Sequence, residues 1–224
     1  MKNILEQTCD VSIPAGRDRL GGNLDVPDNA SGIILFAHGS GSSRYSPRNR
    51  FVASVLHDAG LATLLLDLLS EEEEVIDLQT TRLRFDIALL AERLLQVMDW
   101  LGQNAATRDL EIGLFGSSTG AGAALVAAAE CPEIVKAVVS RGGRPDLAGS
   151  SSLQKVRAPT LLIVGGNDVP VIELNRQAME QLPAETKLKI IPRATHLFEE
   201  PGALEEVSRL AMHWFQTHLA NHSP

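Results

Sequence analysis

The sequence predicts an α/β fold in which a mostly parallel, eight-stranded sheet carries helices on both faces. Three observations point there. The chain has 224 residues, 44% of them hydrophobic and 21% charged, enough to bury a sizeable core and too apolar to stay disordered. Short β-branched or Leu-rich runs alternate along it with longer amphipathic stretches, the pattern of strand–helix–strand units. The central runs are apolar on every residue, as strands buried on both faces are. No repeat and no long linker interrupts the pattern, so residues 1–224 are expected to form a single domain.

Strands are expected at 11–14, 19–26, 33–37, 63–66, 111–115, 134–140, 160–164 and 187–191. The first two are more polar and carry Gly21-Gly22 as the expected hairpin turn, which suits an antiparallel edge. Helices fall between the strands. The one at 49–59 is closed by Gly60, a residue that tolerates the left-handed conformation after a helix end. In 84–101, Ile87, Leu90, Ala91, Leu94, Met98 and Leu101 recur at helical spacing, and Gly102 follows as a stop. The Ala/Gly-rich stretch 119–130 ends before Pro132, and 171–182 ends before Pro183. In 203–219, Leu204, Val207, Leu210, Ala211, Trp214 and Phe215 form one stripe, opened by Pro201. The acidic run Glu71-Glu72-Glu73-Glu74 reads as a solvated loop or a helix start. The connection 141–159 has room for one short helix and not for a lid domain.

Composition excludes several functions. A net charge of −8 argues against nonspecific binding to nucleic acid or to an anionic membrane, which needs a basic field. No apolar run approaches the length of a spanning helix. Glu6 stands where a secretory leader needs apolar residues. Cys9 and Cys131 form no CxxC and no His/Cys cluster. Neither a zinc site nor a disulfide framework is expected, and a reducing cytoplasm is the natural compartment. No metal or organic cofactor is required, and the chain is expected to be a monomer or homodimer.

The strongest local signal is Gly116-Ser117-Ser118-Thr119-Gly120. It follows the strand expected at 111–115 and opens a helix of small residues, the strand–turn–helix context of a G-x-S-x-G nucleophile elbow. Such a turn strains the serine backbone and leaves no room for flanking side chains. The same glycines, with Gly122, also fit the pattern of short-chain dehydrogenases. Those enzymes place their glycines after the first strand and need a Tyr-x-x-x-Lys pair. Here four strands precede the glycines, and the only tyrosine, Tyr45, has Asn49 four residues on.

A hydrolytic serine needs a base and a group that orients it. Asp168, in Gly165-Gly166-Asn167-Asp168, and His196, in Ala194-Thr195-His196-Leu197-Phe198, follow Ser118 in the order acid then histidine. Both stand at carboxyl ends of strands, where open α/β sheets place their sites. Asp146 is the rival acid, one strand earlier. The oxyanion donors are expected to be the amides of Thr119, directly after the nucleophile, and Ser40, in the turn Ala37-His38-Gly39-Ser40-Gly41. His38 is expected to brace that turn.

Together, His38-Gly39-Ser40-Gly41, the elbow at Ser118, Gly165-Gly166-Asn167-Asp168 and Thr195-His196 resemble the α/β-hydrolase superfamily, and within it the dienelactone hydrolase-like group. The resemblance runs from about Val11 to Leu219. It is greatest to small lidless hydrolases, some of which occur fused to a phosphoribosyltransferase-like domain; that partner domain is not expected here. It implies hydrolysis of an ester bond. Dienelactone hydrolases proper use a cysteine where this chain has Ser118, and Cys131 lies at the far end of the following helix. A carboxylester or thioester is therefore the expected small-molecule substrate. The alternative is a non-catalytic module of the same fold that binds or regulates a partner. Arg44, Arg48, Arg141 and Arg144 are expected at the rim and Phe198 beside the histidine. The arginines either clamp an anionic substrate or pair with acids such as Asp67, Asp146 and Glu199.

Overall fold

The computed structural model describes residues 9–219. Eight strands form one sheet in the order β1-β2-β4-β3-β5-β6-β7-β8. They are β1 (Cys9–Ala15), β2 (Asp18–Asp25), β3 (Ile33–Ala37), β4 (Ala62–Leu66), β5 (Ile112–Ser117), β6 (Val135–Arg141), β7 (Thr160–Gly165) and β8 (Thr186–Ile191). β1, β2 and β4 pair antiparallel, and every pairing from β4 to β8 is parallel. The helices are α1 (Pro47–Asp58), α2 (Glu71–Thr80), α3 (Ile87–Gln103), α4 (Thr119–Glu130), α5 (Gly149–Leu153), α6 (Val169–Met179) and α7 (Ala203–His218). Among the described residues no helix is long and apolar enough to cross a membrane.

Alternation along the strands divides the core. Ile33, Leu35 and Ala37 face one side, with Leu90, Leu94, Val97 and Leu101 of α3 and the alanines of α4. Ile34 and Phe36 face the other, with Val52 and Leu56 of α1 and Val207, Trp214 and Phe215 of α7. Both sides of β3 are closed to water, which is why its sequence shows no polar alternation.

Two local expectations need correction. Gly21-Gly22 is not the hairpin turn; it lies inside β2, and the chain reverses at Gly16, whose φ is +64°. The Arg44 guanidinium occupies the space a Gly21 side chain would need. Gly102 does not stop α3, which runs on to Gln103. The acidic run opens a helix: in α2 the Ser70 hydroxyl accepts from Glu73 N–H while the Glu73 carboxylate accepts from Ser70 N–H, a reciprocal capping box. Four carboxylates at a helix N-terminus are also favoured by its dipole.

Candidate active site

β5 ends at Ser117 and α4 starts at Thr119, so Ser118 carries the whole reversal, with φ +50° and ψ −121°. A serine rarely adopts this conformation and costs about 1–3 kcal/mol there. Packing enforces it. A β-carbon on Gly120 would collide with the carbonyl oxygens of Ala37 and His38, and one on Gly116 with Ala121 Cα. The Ser118 amide donates to Arg141 O at 3.2 Å, and its carbonyl accepts from Arg144 N–H at 3.0 Å.

Asp168 stands at the N-cap position of α6 after β7, its side chain free of the helix amides, and His196 follows β8. The structure brings them together: His196 Nδ1 lies 2.6 Å from Asp168 Oδ2. The carboxylate is largely buried, at 15% side-chain exposure, whereas the imidazole is 39% exposed. Asp146 is turned elsewhere, taking Nε and Nη2 of Arg144 at 2.8 and 2.7 Å. The stretch Arg141-Gly142 lies between serine and histidine. A β-carbon on Gly142 would stand 3.6 Å from His196 Cε1. The only side-chain hydrogen bond of His196 among the described residues is to Asp168, and none runs to the Ser118 hydroxyl. Such contacts are often long before substrate binds.

The turn after β3 lies against the elbow. A β-carbon on Gly39 would stand 3.0 Å from Ser118 Cβ. His38 fixes the turn in one tautomer. Its Nε2 accepts the Leu68 N–H at 3.1 Å, so Nδ1 carries the proton and donates to Gly39 O at 2.9 Å. Burial pushes the His38 pKa down, which favours this neutral form. The Ser40 amide is already engaged, donating to Thr119 Oγ1 at 2.9 Å.

Three of the four arginines are paired with the acids that sequence offered as partners: Arg44 with Asp67, Arg48 with Glu199 and Arg144 with Asp146. Among the described residues Arg141 pairs with no acid; it is 8% exposed. Phe198 is not on a binding surface: it is 1% exposed, buried with Phe36 and Trp214 between sheet and helices, and backs the Arg141 side chain. Sequence reasoning also missed a cavity of about 250 Å³ between the turn after β3, Thr119 and α2. Leu68, Leu69, Leu78 and Leu90 supply its apolar wall, and Glu74 and Asp77 stand at it. The readable signal was Ser70-x-x-Glu73, which marks the helix that closes it.

A sequence model of the dienelactone hydrolase family matches residues 22–219. The chain belongs to that family. It is 64% identical to a dienelactone hydrolase from Anabaena variabilis, with a TM-score of 0.94 over 96% of this chain and 99% of that one. It is 56% identical over 215 residues to a Mycobacterium tuberculosis protein named as a phosphoribosyl transferase. That match covers 96% of this chain, which spans only 47% of its relative's length. Est1E from Butyrivibrio proteoclasticus shares the α/β-hydrolase fold at a TM-score of 0.80 and 17% identity, over 95% of this chain and 99% of that one.

Proposed function

We propose that this dienelactone hydrolase family member is a serine hydrolase that cleaves a small carboxylester or thioester through an acyl-enzyme. The observation that carries the reading is the His196–Asp168 hydrogen bond at strand ends flanking a serine held at positive φ. Asp168 holds the Nδ1 proton and leaves Nε2 as the base. Nε2 takes the proton of Ser118 Oγ as it attacks the carbonyl, then returns it to the departing alcohol or thiol. Water repeats the cycle and releases the acid. The oxyanion is met by the amides of Thr119 and Ser40, the latter exchanging its bond to Thr119 Oγ1 for one to substrate. The cavity under α2 suits a short apolar group of the substrate. The Anabaena relative's name supports ester chemistry, a lactone being a cyclic ester.

Intact-mass analysis after exposure to a fluorophosphonate tests this without a guess at substrate. One adduct is expected on wild type and none on Ser118→Ala, and Ser118→Ala should lower ester turnover by about 10⁴-fold or more. Folded wild-type protein that takes no adduct would sink the proposal and favour a binding module.

A further inference from the structure

α2 presents an apolar face that the fold leaves unused. Val75, Ile76 and Leu78, with Phe85 in the short helical turn Leu83–Phe85 just after it, are each more than half exposed. Nowhere else among the described residues do four large exposed hydrophobic side chains fall within eleven positions. Single exposed side chains are ordinary, whereas a cluster marks a binding face. Ile76, Leu83 and Phe85 also line a surface groove of about 600 Å³, with Arg82 at it. The helix is anchored by Glu73 and Asp77, one turn apart, which pair with Arg93 and Arg84. The apolar face is not needed to hold it.

Charge on this segment runs in one direction. Glu71, Glu72 and Glu74 are exposed at the start of α2, and Arg82 is exposed just past its end. Among the described residues none of the four forms an ion pair; the pairs of this segment run from Glu73, Asp77 and Arg84 instead. Glu72 stands one turn before Ile76, on the same face of the helix. Residues 72 and 82 lie symmetrically about position 77, between Ile76 and Leu78. A two-fold axis through that point sets a second α2 antiparallel to the first. It lays the apolar middle of one on that of the other and brings each Glu72 to the opposite Arg82. Such self-complementarity is what a contact between identical surfaces requires. A parallel pairing would set the acidic ends together, and the same acids repel nucleic acid and anionic lipid.

We propose that α2 and the turn after it form a two-fold, antiparallel contact with a second copy of this chain. Leu78 and Glu74 also line the cavity beside Thr119, so the second copy would cover the outer lip of that cavity and steady its wall. Sedimentation velocity on the full chain, from low to high micromolar concentration, reads the association. A reversible dimer is expected, because a helix of 10 residues, about 15 Å long, offers less than the roughly 800 Å² per partner of a standard interface. Ile76→Glu, at an exposed position, should keep the wild-type melting temperature and stay monomeric, and Phe85→Ser tests the other wall of the groove. Arg82→Glu should weaken association about 10-fold, since symmetry removes two ion pairs and opposes like charges in their place. Adding Glu72→Arg returns the net charge to its wild-type value and should restore the dimer. Amides of residues 71–86 should exchange more slowly as wild type is concentrated, and not in Ile76→Glu. Wild type that stays monomeric throughout overturns the proposal, as does a dimer that both Ile76→Glu and Phe85→Ser leave intact. A dimer weakened by Arg82→Glu and not restored by the double exchange overturns the antiparallel arrangement. A monomer that binds zwitterionic vesicles, and loses them in Ile76→Glu, gives the face to a lipid surface and overturns the second copy. None of these readouts depends on Ser118.

Discussion

His38 shows how much one side chain can set at this site. Its imidazole ties the turn after β3 to Leu68 and holds the Gly39 carbonyl, and thereby aims the Ser40 amide. Protonation would put a second N–H against the Leu68 N–H. Burial accordingly lowers its pKa from the ordinary 6.5. The sign follows from proton counting. Below pH 6.5 the unfolded imidazole takes a proton that the folded one refuses, so stability is intact above that pH and is lost as pH falls. The loss approaches about 1.4 kcal/mol per pH unit for one proton. His218, whose pKa burial also lowers, acts in the same window. Thermal melts from pH 8 to 5.5 should therefore show a shallower decline for His38→Asn than for wild type. Parallel curves would exclude this role. Ser118, Asp168 and His196 were legible because each sits beside its own short signal at a strand end. The Ser40–Thr119 bond was not, because it joins residues 79 positions apart. Nor was the burial of Phe198, which depends on helices laid over it from both ends of the chain.

α2 is the element the sequence left undecided. Its hydrophobic residues do not form an inward stripe: Val75, Ile76 and Leu78 are 59, 53 and 70% exposed. Periodicity therefore says little, and the helix is held by polar bonds. Asp77, 2% exposed, accepts the amides of Leu83 and Arg84 at 2.8 and 3.1 Å and also pairs with the Arg84 side chain. Burial alone would raise its pKa, and the bonds from Arg84 and Leu83 more than offset that, leaving it lowered. At the other end Glu73 binds Arg93 of α3 at 2.6 Å. Asp77→Asn keeps the shape but removes the charge. Amides of residues 71–85 should then exchange with solvent about 10–100-fold faster, the equivalent of a lost charged hydrogen bond, while α3 and α4 keep their protection. Acceleration spread evenly over all helices would mean that Asp77 serves global stability and not this wall of the cavity. The central strands β3–β7 were legible within a residue or two because water is excluded from both of their faces. The end of α3 was misread because a glycine with open space around it is tolerated inside a helix.

At the scale of the whole molecule, two cores meet across one sheet. The same strands supply both, Ile33 and Leu35 to one face and Ile34 and Phe36 to the other. Neither face can be lost without exposing the strands that carry the other. The glycine at 113 tightens this coupling, since the Phe215 ring and the Ile34 side chain fill the space above it. Yet the chain spans 47% of the length of its M. tuberculosis relative, so whether it stands alone is a question of cooperativity. The two tryptophans are placed to answer it. Trp100 of α3 packs against one core, and Trp214 of α7 is buried in the other. Trp100→Phe leaves a reporter on the α7 face, and Trp214→Phe leaves one on the α3 face. In urea each variant should unfold with a fluorescence transition coincident with its own far-UV circular dichroism, the signature of one cooperative unit. A reporter whose transition precedes loss of secondary structure would show that its face opens first. The sheet would then be the last element to unfold, and the face that opens first would be the one that lacks support in this chain.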